Sequence, residues 1–138
     1  NPALAGIKHL NRLEQVLARG EWDDPEIAEG LMLDGAGHVI EGTFSNIFAV
    51  RDGMLITPDL TACGVAGIRR ELILEYAHGA AIPVTIAPLP LSELLDMHEI
   101  FLCNSLIGVW PVREIGARGW VPGGLAGAVR HGLEAARD

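Results

Sequence analysis

The stretch NIFAVRDGMLIT spans residues 46–57 of this chain. Two apolar runs, Asn46 to Val50 and Met54 to Thr57, flank the turn Arg51-Asp52-Gly53. Runs of this length around a short glycine-containing turn predict a β-hairpin. Pro58 should end the second strand, because proline has no amide hydrogen to donate to a sheet.

Further elements are predicted on both sides of this hairpin. Glycine, proline and apolar spacing predict the other strands at Gly30–Leu33 and His38–Glu41 (a hairpin around the turn at residues 34–37), Pro83–Leu89, Glu99–Cys103 and Val109–Val112. Predicted helices cover Lys8–Arg19, Ile68–His78 with Gly79 as C-cap, Ser92–Met97 with Ser92 as N-cap, and Leu125–Arg137. Hairpins mixed with helices in this order predict an α+β domain rather than a regular strand–helix alternation.

The composition narrows the classes of function. With 138 residues the chain suits one domain, and its formal net charge of −8 includes no run of Lys or Arg. Neither nucleic acid nor a membrane is therefore an expected partner, because both need clustered positive charge. The two cysteines, Cys63 and Cys103, lie far apart and form no CxxC pair, and no signal peptide or membrane-spanning stretch is visible. We therefore expect a reduced, cytoplasmic protein. Because Asn1-Pro2 lacks an initiator Met, we also expect a piece of a longer chain.

Lys8 is the only lysine of the chain, since the other nine basic residues are arginines. An amine that attacks an aldehyde must be partly neutral, and a lysine beside a pocket can have its pKa lowered for that purpose. Arginine cannot replace it, because its guanidinium stays protonated. By its count alone, Lys8 would be interpreted as an ordinary surface lysine.

The string KHLNRLEQVLAR, residues 8–19, strongly resembles the lysine segment of the fold-type IV pyridoxal-phosphate enzymes, the branched-chain and D-amino-acid aminotransferase-like class. Within that class it is most similar to the 4-amino-4-deoxychorismate lyases. The resemblance implies pyridoxal 5'-phosphate as cofactor, with Lys8 as the catalytic residue that binds it covalently. It also implies a barrel-like mixed sheet flanked by helices.

Three more segments resemble that class. In EGTFSNIF, residues 41–48, Glu41 matches the glutamate that pairs with the pyridine nitrogen of the cofactor. In the glycine-rich run 63–67, Gly67 and the backbone amides of Ile68 and Arg69 match the phosphate-binding positions at a helix N-terminus. After the predicted strand at Glu99–Cys103, Ser105 and the Leu106 amide match a second phosphate contact, and Asn104 is a candidate for substrate binding.

The resemblance implies that residues 1–138 are the pyridoxal-phosphate-binding C-terminal domain, because nothing in them corresponds to the smaller N-terminal domain of the class. It implies a small-molecule substrate and a homodimer. The expected reaction converts 4-amino-4-deoxychorismate to 4-aminobenzoate and pyruvate for folate synthesis. A D-amino-acid or branched-chain aminotransferase is the alternative enzyme, and an inert fragment or cofactor-binding module is the alternative of another class. The five histidines have no metal-like spacing, so no metal site is predicted.

Overall fold

A computed structural model describes residues 17–136, and these contain both strands and helices. Residues 17–19 are helical, and the predicted helix Lys8–Arg19 lies otherwise outside the described residues. The other elements, in chain order, are β1 (Leu31–Leu33), β2 (Val39–Gly42), β3 (Asn46–Arg51), β4 (Met54–Thr57), α1 (Ile68–Gly79), β5 (Val84–Ile86), α2 (Leu91–Leu95), β6 (Glu99–Asn104), β7 (Gly108–Pro111), β8 (Glu114–Ile115), β9 (Arg118–Gly119) and α3 (Gly124–Ala135).

The central sheet is mixed and has five strands in the order β5-β4-β3-β6-β7. Strand β4 pairs antiparallel with β3 and parallel with β5, so α1 connects two parallel neighbours. The α+β class is therefore confirmed. Among the described strands the sheet is open, with β5 and β7 at its edges, so the barrel-like closure is not confirmed.

Both faces of the central sheet are buried, which explains the continuous apolar runs in β3 and β6. Side chains alternate between the faces along a strand. Phe48 and Phe101 stack across the β3–β6 pair with ring centroids 5.3 Å apart, on the face that α1 and α3 cover. Ile47 and Ile100 lie on the opposite face, where they pack in one cluster with Leu94 of α2.

Both predicted hairpins are confirmed, but three local predictions are wrong. Gly79 is the last residue of α1, and the C-cap is Ala80; the left-handed conformation follows at Ala81, with φ of 57°. Helix α2 begins at Leu91 rather than after Ser92, because Pro90 precedes it with a φ of −58° that suits a helix start. Strand β5 is shorter than Pro83–Leu89, since its partner β4 ends at Thr57.

Candidate active site

The predicted site residues that the structure describes lie near one end of the central sheet. Strand β3 begins at Asn46 and its antiparallel partner β6 ends at Asn104, with Asn46 paired to Cys103. The start of β3 and the end of β6 are thus at the same end. The loop before α1 is attached there as well, because the Asn46 side chain donates from Nδ2 to the Val65 carbonyl at 2.7 Å and accepts from the Gly67 amide at 3.1 Å.

Glu41, on β2, has its carboxylate beside this loop. The side chain is buried, with 4 % of its surface exposed. Its Oε2 accepts a hydrogen bond from the Val65 amide at 3.0 Å. The structure therefore brings together Glu41 and the glycine-rich loop, two of the segments that the resemblance assigns to one site.

The N-terminus of α1 has no side-chain cap. The first amides of a helix have no partner within the helix, so those of Ile68 and Arg69 are available to a ligand. Gly67 allows the Asn46 side chain to approach the backbone just before these amides, because a Cβ at residue 67 would lie 2.6 Å from Asn46 Oδ1. An uncapped helix start behind a required glycine is a suitable anion-binding site.

The side chains of Arg69 and Arg70 are buried beneath this helix start, and both lie near Cys103. Arg70 donates to Glu71 at 2.9 Å and to the Pro58 carbonyl at 3.3 Å. The Nε atoms of both arginines are buried without a hydrogen-bond partner.

Asn104 organises the turn that follows β6. Its Oδ1 accepts from the amides of Leu106 at 2.8 Å and Ile107 at 2.7 Å, and its Nδ2 donates to the Phe44 carbonyl at 3.0 Å. Ser105 is exposed, as is Leu106 with 93 % of its surface. These two residues lie at the correct end of the sheet, but no described contact joins them to the loop before α1. The substrate contact predicted for Asn104 stays a prediction, as do the phosphate contacts of Ser105 and Leu106.

Sequence reasoning missed two residues of this region. Asn46 belongs to the EGTFSNIF motif but was given no role, although a polar residue opening an apolar strand indicates one. Glu29 was missed entirely, yet its carboxylate binds the segment between Glu41 and Asn46. Only the register of the hairpin reveals it: with Leu31 opposite Gly42, residues before β1 lie opposite residues 43–45.

Lys8, the predicted catalytic residue, lies outside the described residues. Within residues 17–136, no helix is long and apolar enough to cross a bilayer.

Residues 1–115 match the family model for amino-transferase class IV. The chain is 47% identical over 116 residues to an aminodeoxychorismate lyase of Vibrio harveyi, covering 84% of this chain and 43% of that protein. The crystal structure of 4-amino-4-deoxychorismate lyase from Pseudomonas aeruginosa superposes with a TM-score of 0.94 at 50% identity, covering 98% of this chain and 50% of that one.

The T.th. branched-chain amino acid aminotransferase, complexed with N-(5'-phosphopyridoxyl)-L-glutamate, is more distant. It has a TM-score of 0.83 at 29% identity, covering 91% of this chain and 43% of that one. This chain spans less than half the length of the curated relatives that it matches. Since the family model covers most of its residues, the chain belongs to the amino-transferase class IV family.

Proposed function

We propose that the protein to which this chain belongs is a pyridoxal-phosphate-dependent lyase that converts 4-amino-4-deoxychorismate to 4-aminobenzoate and pyruvate. One observation supports this reaction above others: the two lyase relatives, at 47% and 50% identity, share more of their residues with this chain than a probable branched-chain aminotransferase of Thermotoga maritima does at 38%. The product would serve folate biosynthesis. The chain itself would be the cofactor-binding domain of a cytoplasmic homodimer whose N-terminal domain completes the substrate pocket, and the whole protein's sheet would close into a barrel.

The residues at the end of the sheet fit pyridoxal phosphate. A doubly charged phosphate suits the uncapped start of α1, where Ile68 and Arg69 present backbone amides next to Gly67. A buried carboxylate such as Glu41 suits a protonated pyridine nitrogen. The phosphopyridoxyl compound in the related aminotransferase is consistent with this choice of cofactor.

The bound cofactor would supply an electron sink for the charge that develops at the carbon bearing the amino group. Glu41 would keep the ring nitrogen protonated, which strengthens that sink. The Ile68 and Arg69 amides would hold the phosphate, with the Ser105 hydroxyl as a further donor. The Leu106 amide already donates to Asn104, so it would contribute less. The Lys8 amine would bind the cofactor and then take the proton from the substrate carbon.

Reductive trapping tests the cofactor assignment. The full-length protein would be incubated with pyridoxal phosphate, treated with borohydride, digested and mapped by mass spectrometry, with Lys8→Ala in parallel. We expect a phosphopyridoxyl adduct on the Lys8 peptide that is absent from the variant. No adduct at Lys8 in the folded full-length protein contradicts the proposal and leaves the inert module. An adduct in the full-length protein but not in the 138-residue chain would assign part of the binding to the N-terminal domain.

A product assay then separates the lyase from the aminotransferase, which the 29% identical branched-chain enzyme makes the second candidate. The full-length protein loaded with pyridoxal phosphate would receive 4-amino-4-deoxychorismate, or a branched-chain or D-amino acid with a 2-oxo acid. We expect equal amounts of 4-aminobenzoate and pyruvate from the first mixture, and slow amino transfer in the second. Amino transfer without 4-aminobenzoate would establish the second candidate instead.

A further inference from the structure

Glu29, which is half-buried just before β1, has a carboxylate that accepts five hydrogen bonds. Oε1 accepts from the Gly30 amide at 2.8 Å, from the Thr43 amide at 3.0 Å and, by a very short contact, from the Thr43 hydroxyl. Oε2 accepts from the Phe44 amide at 3.3 Å and from the Ser45 hydroxyl at 3.0 Å. Four of these five donors belong to residues 43–45, so this one carboxylate fixes the conformation of that segment.

Residues 43–45 form the turn between the two strands that bear site residues. Glu41 precedes the turn on β2, and Asn46 follows it on β3. The Phe44 carbonyl accepts the Asn104 Nδ2 hydrogen bond, so the turn also touches the end of β6. A change in this turn would therefore be transmitted to Glu41, to the loop that Asn46 holds, and to the turn that Asn104 holds.

The packing around Gly42 shows how closely Glu29 approaches this turn. A Cβ at Gly42 would lie 2.8 Å from Glu29 Oε2 and closer still to the Ser45 hydroxyl. The Gly42 amide donates to the Ser45 carbonyl at 2.8 Å, which closes the turn on itself. A side chain at position 42 would push the Glu29 carboxylate and the Ser45 hydroxyl from their present places.

We propose that Glu29 is a positioning residue for the cofactor site, because it fixes the 43–45 turn and thereby sets the place of Glu41 against the cofactor ring. This inference rests on the proposed function. Glu29 itself need not touch the cofactor. Its effect on Glu41 passes through the backbone of two consecutive strands, and that part of the effect should be lost when Glu41 can no longer act.

The experiment uses the full-length protein and measures the dissociation constant for pyridoxal phosphate in Glu29→Ala, Glu29→Gln and wild type. Glu26→Ala is the matched control, since Glu26 is exposed and its carboxylate has no described hydrogen bond. We expect Glu29→Ala to bind the cofactor about tenfold more weakly or worse, because small displacements of binding groups are costly. Glu29→Gln, which keeps one carbonyl oxygen, should lie between Glu29→Ala and wild type, and Glu26→Ala should match wild type.

A double-mutant cycle separates positioning from general destabilisation. In a Glu41→Gln background, Glu29→Ala should weaken cofactor binding by a clearly smaller factor than it does in the wild-type background. The pH dependence of the bound cofactor's absorbance should shift in Glu29→Ala in the same direction as in Glu41→Gln. A purely structural role would lower the unfolding temperature without cofactor and give the same loss of affinity in both backgrounds.

Each outcome decides a different claim. If wild type binds no pyridoxal phosphate, the proposed function fails and this inference fails with it. If wild type binds pyridoxal phosphate and both Glu29→Ala and Glu29→Gln bind it as tightly as wild type does, only the role of Glu29 is overturned. Equal losses in both backgrounds also overturn it. If Glu29→Ala does not fold, the Glu29→Gln pair of measurements decides the question.

Discussion

Cys103 is a buried thiol beside two arginines, and its chemistry is set by that burial. Burial raises the pKa of Cys103 to about 12, although Arg69 and Arg70 act in the opposite direction. At pH 8 roughly one molecule in ten thousand would then hold the reactive thiolate. We expect iodoacetamide to label Cys63 in the folded protein and to leave Cys103 unlabelled until urea is added, as peptide mass spectrometry would show.

The raised pKa of Cys103 also makes the free energy of unfolding depend on pH. A pKa of Cys103 raised above the ordinary value of 9.0 in the folded state means that folding is favoured by the protonated thiol. That contribution is complete below pH 9 and is lost as the pH rises toward 12. Cys103→Ala should therefore lose less stability than wild type across this range, whereas Cys63→Ala should follow wild type. In the iodoacetamide experiment, rapid labelling of Cys103 in the folded protein at pH 8 would show that its thiol is not buried.

Site residues differ in how far the sequence could predict them. Glu41 and the loop before α1 could be placed together because each lies in a recognisable motif, and the Val65–Glu41 hydrogen bond bears this out. Glu29 could not, because a glutamate in a turn-rich stretch has no local signal. Its role arises only from the register of β1 against β2, which sequence patterns leave open.

Glu99, the first residue of β6, caps the closing helix from a distant part of the chain. Its buried carboxylate accepts from the Ala126 amide at 2.7 Å and from the Leu125 amide at 3.3 Å, in the first turn of α3. Negative charge at a helix N-terminus is stabilising. We expect Glu99→Gln to lower the free energy of unfolding by about 1–2 kcal/mol, as measured by urea denaturation.

Glu75→Gln is the control for this prediction, since Glu75 is an exposed residue within α1. It should change the free energy of unfolding by less than about 0.5 kcal/mol. Hydrogen exchange should locate the Glu99→Gln effect in α3, with faster exchange at its first turn. Unchanged protection there would show that Glu99 does not hold the helix.

The elements that the sequence predicted well are those with strong internal patterns. The hairpin β3–β4 has two apolar runs around a glycine turn, and nothing distant is needed to form it. Helix boundaries were less predictable: Pro90 rather than Ser92 precedes α2, because a proline's fixed φ competes with a serine's capping side chain. The short pair β8–β9 was not predicted, since strands of two residues leave no periodicity to detect.

At the scale of the whole molecule, β3 and β6 join two apolar clusters that lie on opposite faces of one sheet. Phe48 and Phe101 belong to the cluster under α1 and α3, while their strand neighbours Ile47 and Ile100 belong to the other. One face cannot open without disrupting strands that the other face needs. We therefore expect the described part of the chain to unfold as a single cooperative unit.

Phe48→Ala tests this cooperativity in the full-length protein. Removing a fully buried aromatic ring should cost about 3–5 kcal/mol. Hydrogen exchange should then speed up by similar factors in α1, on the same face as Phe48, and in α2, on the opposite face. Leu72 has 40 % of its surface exposed, so Leu72→Ala should change the hydrogen-exchange rates of α1 and α2 by no more than a small factor. If α2 keeps its protection while α1 loses it, the two faces fold independently. The sheet then does not couple the face that α1 and α3 cover to the face where Glu41 and its strand lie.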